Sequence, residues 1–257
     1  MARCTKQLRR SVDTPSAPRQ SGHIDYGERL YPMRFRRTAS GPLAFAAILA
    51  GSAAFYLRDP PVPPDSVELM PAYHEPALLS RAWSLPLAHL YGPQGYMFQQ
   101  NPSTCGPTSI ADVLHSEGRQ ADPDSVMEGS GVFQIFGILP GGLTLDQEAE
   151  ILERKPGKPV KKLRDLSLDD FRAEMAKSND PSQRIIVNFT RMPLFGRGHG
   201  HFSPVLGYLP AEDLVFVGDV NAHYQPSLVP TSRLYEAQNT VDSSSHAKRG
   251  VLEIEAP

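Results

Sequence analysis

Apolar positions along the chain fall into two rhythms. Ile110, Val113 and Leu114 recur at helical spacing behind Cys105-Gly106-Pro107, and Gly118 follows as a stop, so a buried helix beginning at Cys105 is predicted. Leu145, Ala149 and Leu152 form a second stripe, opened by Thr144 and Gln147 at capping-box spacing. Ser167 and Asp170 repeat the start signal ahead of Leu168, Phe171 and Met175. The rhythm then changes. Residues 184–190, 201–208, 214–220 and 250–254 read as strands rich in β-branched and aromatic residues, with one more helix from Thr231 or Ser232 to Gln238. The connection 209–213 is short enough to make 201–220 an antiparallel hairpin. Helices first and antiparallel strands second predict an α+β fold, a helical half packed against an antiparallel sheet half.

The N-terminal quarter has neither rhythm. Residues 42–57 are an uncharged, Ala/Gly-rich run behind Arg34, Arg36 and Arg37, which predicts a signal peptide or membrane anchor over 33–58 and a body exported across the membrane, periplasmic or tethered outside the cytoplasm. Residues 1–32 are polar and patternless, an extension that Met33 could replace as the start. Six prolines between 60 and 76 predict an extended linker over 59–80, leaving 81–257 as the body. Charge divides in the same way: residues 1–58 carry ten Lys/Arg against three Asp/Glu, the rest sixteen against twenty-five. The acidic body excludes a nucleic-acid footprint.

Of the two cysteines, Cys4 lies in the leader, so an exported body holds the single thiol Cys105. A lone thiol at a helix start, where the macrodipole favours thiolate, is a candidate nucleophile. A thiolate needs a base, and folding the 201–220 hairpin about residue 210 or 211 brings His201 opposite or diagonal to Asp219, with Asn221 on the same face as a second orienter. The backbone N–H of Cys105 and the side-chain amide of Gln99 or Gln100 are candidate oxyanion donors. His199 and His201 form an H-x-H pair without a third ligand at metal-site spacing, so no metal site is assigned. Gly196, Gly198 and Gly200 read as a flexible approach to the histidine.

Gln99 to Gly106, Gly142 to Asp146, His201 to Pro204 with Gly207-Tyr208, Asp219-Val220, Val229-Pro230, Asn239 to Asp242 and Arg249-Gly250 together resemble phytochelatin synthase, a papain-like thiol acyltransferase also called glutathione γ-glutamylcysteinyltransferase. The resemblance implies a papain-like cysteine-protease fold, with Cys105 as nucleophile, His201 as base, Asp219 as orienter and Gln99 as oxyanion donor. It places Asp242 and Arg249 against the amino and carboxylate groups of the γ-glutamyl moiety. The implied reaction cleaves the Cys–Gly bond of glutathione and transfers the γ-glutamylcysteinyl group to a second glutathione or to water. No cofactor is required; cadmium or zinc enters as a metal–glutathione thiolate, and a homodimer is an open partnership. Ser103-Thr104 stand where an aromatic is common, and without the cysteine-rich half of plant members hydrolysis is expected to outweigh transfer. Two alternatives are a papain-like peptidase acting on another exported peptide and a membrane-anchored binding domain without catalysis.

Overall fold

A computed structural model describes residues 61–92, 95–154 and 159–256. The expected extension over 1–32 and signal or anchor segment over 33–58 lie outside the described residues. Among the described residues, no helix is long and apolar enough to cross a membrane.

Eight α-helices and six strands alternate along the described chain: α1 (Pro76–Trp83), α2 (Pro86–Tyr91), α3 (Cys105–Ser116), α4 (Pro123–Met127), α5 (Leu145–Arg154), β1 (Val160–Leu163), α6 (Leu168–Lys177), β2 (Gln183–Thr190), α7 (Met192–Phe195), β3 (Gly200–Leu209), β4 (Leu214–Val217), β5 (Ser227–Pro230), α8 (Thr231–Gln238) and β6 (Gly250–Glu255). The predicted starts are present in atomic detail. Thr144 and Gln147 exchange hydrogen bonds ahead of α5, and the Ser167 side chain accepts from the Asp170 N–H ahead of α6. At the far end of α3, Gly118 takes φ +75°, its N–H donating to His115 O and that of Arg119 to Leu114 O, a closure that glycine adopts without steric penalty.

The strands form one antiparallel sheet in the order β1-β6-β2-β3-β4-β5. Here the expected halves are corrected, because helices cover both faces. Ile186, Leu206, Phe216 and Leu252 face α3 and α5, whereas Ile185, Val187, Val205 and Val251 face α6 and α8. Two-sided burial is why the central strands read as continuous apolar runs rather than as strict alternation. The extended linker is corrected as well. Val67 and Tyr73 are buried in the core, a 3₁₀ turn spans Val67–Leu69, and α1 already begins at Pro76. A proline at the first position of a helix needs no N–H, so Pro76 starts a helix instead of extending the chain.

Candidate active site

The N-terminus of α3 packs across β3, where the backbone N–H of Phe202, the residue after His201, favours the thiolate form of Cys105. The helix that carries the thiol thus meets the strand that carries the imidazole at the start of β3. Cys105 opens on a cavity of about 350 Å³ lined also by Ser103, Leu139, Asn188, Gly200, Asp242 and Arg249.

His201 is buried at the start of β3, edge-on to Phe189 at 5.4 Å. Its Nε2 lies 3.0 Å from Asp219 Oδ1. The register Val205↔Val217 extrapolates to a diagonal placement of His201 and Asp219, the second of the two alignments expected. Asp219 Oδ1 also accepts from Arg191 Nη2 and from the Asn221 N–H, each at 2.8 Å. Burial pushes the Asp219 carboxyl up, but His201 and Arg191 outweigh it and hold the group far below the usual carboxylate range. Burial and the nearby Arg191 lower His201, against the opposing pull of Asp219. Asn221 contributes only its backbone N–H, since its side-chain oxygen accepts from the His223 N–H.

The thiol departs from expectation. Burial pushes Cys105 up to about 11; the N–H groups of Phe202 and Gly106 and the charge of Arg191 offset only part of this, and Glu148 adds to it. Desolvating a charge in the core exceeds what one helix end supplies. Burial thus pushes the thiol and the imidazole each towards its neutral form.

Of the two glutamines, Gln100 is exposed and Gln99 half-buried. Gln99 donates its backbone N–H to Val220 O and one side-chain N–H to Asn101 O, which leaves a second amide hydrogen for another acceptor. Arg249 reaches Asp242 Oδ1 at 3.1 Å and Asn188 Oδ1 at 3.2 Å, while Asn188 donates to the His201 carbonyl. The carboxylate, amide and guanidinium all line the cavity. His199 lines it too, but no group of three or more potential metal ligands occurs among the described residues.

Two of the three glycines before the histidine serve a different purpose from the flexible approach expected of them. A Cβ on Gly200 would lie 2.6 Å from Arg249 Nη1, and one on Gly198, at φ +92°, would lie 3.0 Å from the Arg191 side chain. Gly200 makes room for the Arg249 guanidinium and Gly198 for the aliphatic stem of Arg191. Arg191 itself was not singled out by sequence; it stacks on Tyr224, 4.0 Å from the ring centroid, and donates to Asp219 from a buried position. Glu148 left a legible trace, an acid on the apolar stripe of α5 three residues after Leu145 and directly before Ala149.

A family profile described as Phytochelatin synthase matches residues 60–251. Glutathione gamma-glutamylcysteinyltransferase 3 of Lotus japonicus is 30% identical over 173 residues, covering 62% of this chain and 36% of that protein. Glutathione gamma-glutamylcysteinyltransferase 1 of Arabidopsis thaliana is 33% identical over 175 residues, with 63% and 36% covered. The chain thus spans little more than a third of these relatives' length. Among solved structures, a putative C39-like peptidase from Bacillus anthracis superposes with a TM-score of 0.44 at 16% identity, covering 63% of this chain and 94% of that one.

Proposed function

The chain belongs to the phytochelatin synthase family, and from that premise we propose that it is a thiol acyltransferase and peptidase of glutathione, built in the papain-like manner with its cysteine on a helix and its histidine on a strand. Cys105 would pass its proton to His201 Nδ1, the ring nitrogen left over by the Nε2 contact with Asp219, as Sγ attacks the carbonyl carbon of the Cys–Gly bond. Asp219 supports the imidazolium that forms, with Arg191 holding the carboxylate in place. The oxyanion takes the N–H of Cys105 and the remaining amide hydrogen of Gln99. Glycine leaves with the proton from His201, and a γ-glutamylcysteinyl thioester remains on Cys105. Water or the α-amino group of a second glutathione then attacks the thioester carbonyl and returns the Cys105 thiol, releasing γ-glutamylcysteine or, with a new peptide bond, the (γ-Glu-Cys)₂-Gly product.

Asp242 and Arg249 offer one carboxylate and one guanidinium on the same cavity wall, the complement of an α-amino and an α-carboxylate group. Cadmium or zinc belongs to this reaction as part of a metal–thiolate substrate. Residues 33–58 we keep as the export or anchoring segment, which N-terminal sequencing of the mature protein tests.

The observation that carries the reading is the packing of the Cys105 helix across the strand that begins with His201, a histidine already oriented by Asp219. Incubation with glutathione, with and without cadmium, tests it by mass. Wild type is expected to release glycine and γ-glutamylcysteine, with glycine exceeding polymer, and Cys105→Ser neither. Glycine release that survives in Cys105→Ser, or cleavage confined to other peptides, overturns it.

A further inference from the structure

Glu148 projects from α5 beneath the first turn of α3 and is fully buried, with neither carboxyl oxygen hydrogen-bonded. Oε2 sits so close to Gly106 that a Cβ there would lie 2.6 Å away, and Leu143 closes the same space with a Cβ distance of 2.9 Å. An acid placed there against the cost of burying an unpaired polar group sits one residue from the nucleophile, at the positive end of its helix.

A helix end of this kind supports one negative charge well and two poorly. If Glu148 is neutral, the end of α3 is free for the Cys105 thiolate and the charge that follows it. If Glu148 ionises, its anion takes up the same dipole and repels the thiolate. We propose that Glu148 is a positioning residue for Cys105, whose neutral acid form leaves the end of α3 to the thiolate and whose anion closes the reaction on the alkaline side. The proposal rests on Cys105 being the nucleophile.

The surroundings of Glu148 hold few competitors. Burial alone raises its carboxyl well above the ordinary range, and no charged group offsets it. On α5 itself, Asp146 faces outward and pairs with Lys162 and Arg164 from the β1 side. β1 and β6 turn Val160, Leu252 and Ile254 into this core, and the turn before α5 adds Leu143. α3 carries three titratable groups, Cys105, the buried Asp112, which accepts from the Met97 N–H, and His115 in its last turn. His201, Arg191 and Arg249 reach the site from the sheet, Arg191 and Glu148 acting on the sulfur with opposite sign.

The test is the rate of Cys105 alkylation by iodoacetamide in the full chain from pH 6 to pH 10, read at the Cys105 peptide by mass so that Cys4 does not contribute. Wild type, Glu148→Gln and Glu148→Leu are expected to coincide at the acid end of the series, where burial favours the protonated Glu148. Both variants should then pull ahead with rising pH, reaching about tenfold by pH 9, the equivalent of one unit of thiol pKa. Wild type alone should titrate over a broader range than a single proton allows, as two coupled groups do. That broadening needs no variant to fold. Curves that run parallel at every pH, a shift in Leu but not in Gln, or a one-proton wild-type titration each overturn the proposal. Glycine release from glutathione in the same pH series separates the two readings. Diverging alkylation without glycine release sinks the substrate assignment alone, and glycine release with parallel alkylation curves sinks the role of Glu148 alone.

Discussion

The two sides of the cleft solve the problem of buried charge in opposite ways. On the sheet side, Asp219, His201 and Arg191 are each buried and joined through one carboxylate oxygen, so the acid is held ionised and the imidazole held in place. On the helix side, Cys105 and Glu148 are both buried without an ion pair, so burial pushes each towards its protonated form. The sheet side is preorganised before substrate arrives. The helix side keeps its charge in reserve until the sulfur loses a proton. Burial is the same in both places, and the direct contacts of His201 and Arg191 with one carboxylate oxygen are what reverse its consequence.

Removing the sulfur erases the comparison. Cys105→Ser or His201→Ala should reduce glycine release by about 10⁴-fold or more, measured in single-turnover assays. Asp219→Asn strikes the sheet side next. It should lower kcat by about 10³- to 10⁴-fold and, by leaving Arg191 buried against a neutral amide, cost about 3–5 kcal/mol of stability in chemical denaturation. A near-wild-type unfolding midpoint in Asp219→Asn would show that Arg191 finds another partner.

The same carboxylate sets a pH dependence. Because the native Asp219 value lies below the unfolded value near ~3.9, its stabilisation is fully present above that pH and drains away as pH falls towards the native value. Glu148 runs the other way. Its native value is raised, so its stability contribution is full below about pH 4.3 and is lost as pH rises towards the native value. Glu148→Leu should therefore gain stability on wild type between pH 5 and pH 8, by about 1–3 kcal/mol, with a gap that widens with pH. A gap that narrows as pH rises would contradict the protonated acid.

A smaller effect probes the substrate wall. Gly200→Ala puts a methyl 2.6 Å from the Arg249 guanidinium, the far end of a flexible chain, so the arginine shifts while the fold holds. KM for glutathione should rise by about tenfold with kcat nearly kept, the cost of weakening one charge-assisted hydrogen bond. An unchanged KM would detach Arg249 from the γ-glutamyl end.

Much of this was legible from local pattern. The start of α3 at Cys105, the capping pair Thr144/Gln147, the Ser167 cap and the pairing of His201 with Asp219 all follow from residues close in sequence, where spacing alone dictates which side chains can meet. Pro76 shows the limit, since the same proline either extends a linker or starts a helix, and only the core behind Val67 and Tyr73 selects between them.

What remained hidden depends on partners far away along the chain. That Arg191 would hold Asp219, that Gly200 would make room for the Arg249 guanidinium, and that Glu148 would lie under Gly106 each require elements brought together by the folded sheet. Periodicity and capping are properties of neighbouring residues and survive being read as a string. The ionisation state of a buried group is set by desolvation and by whichever charge lies within a few ångströms, and neither exists until the chain has folded.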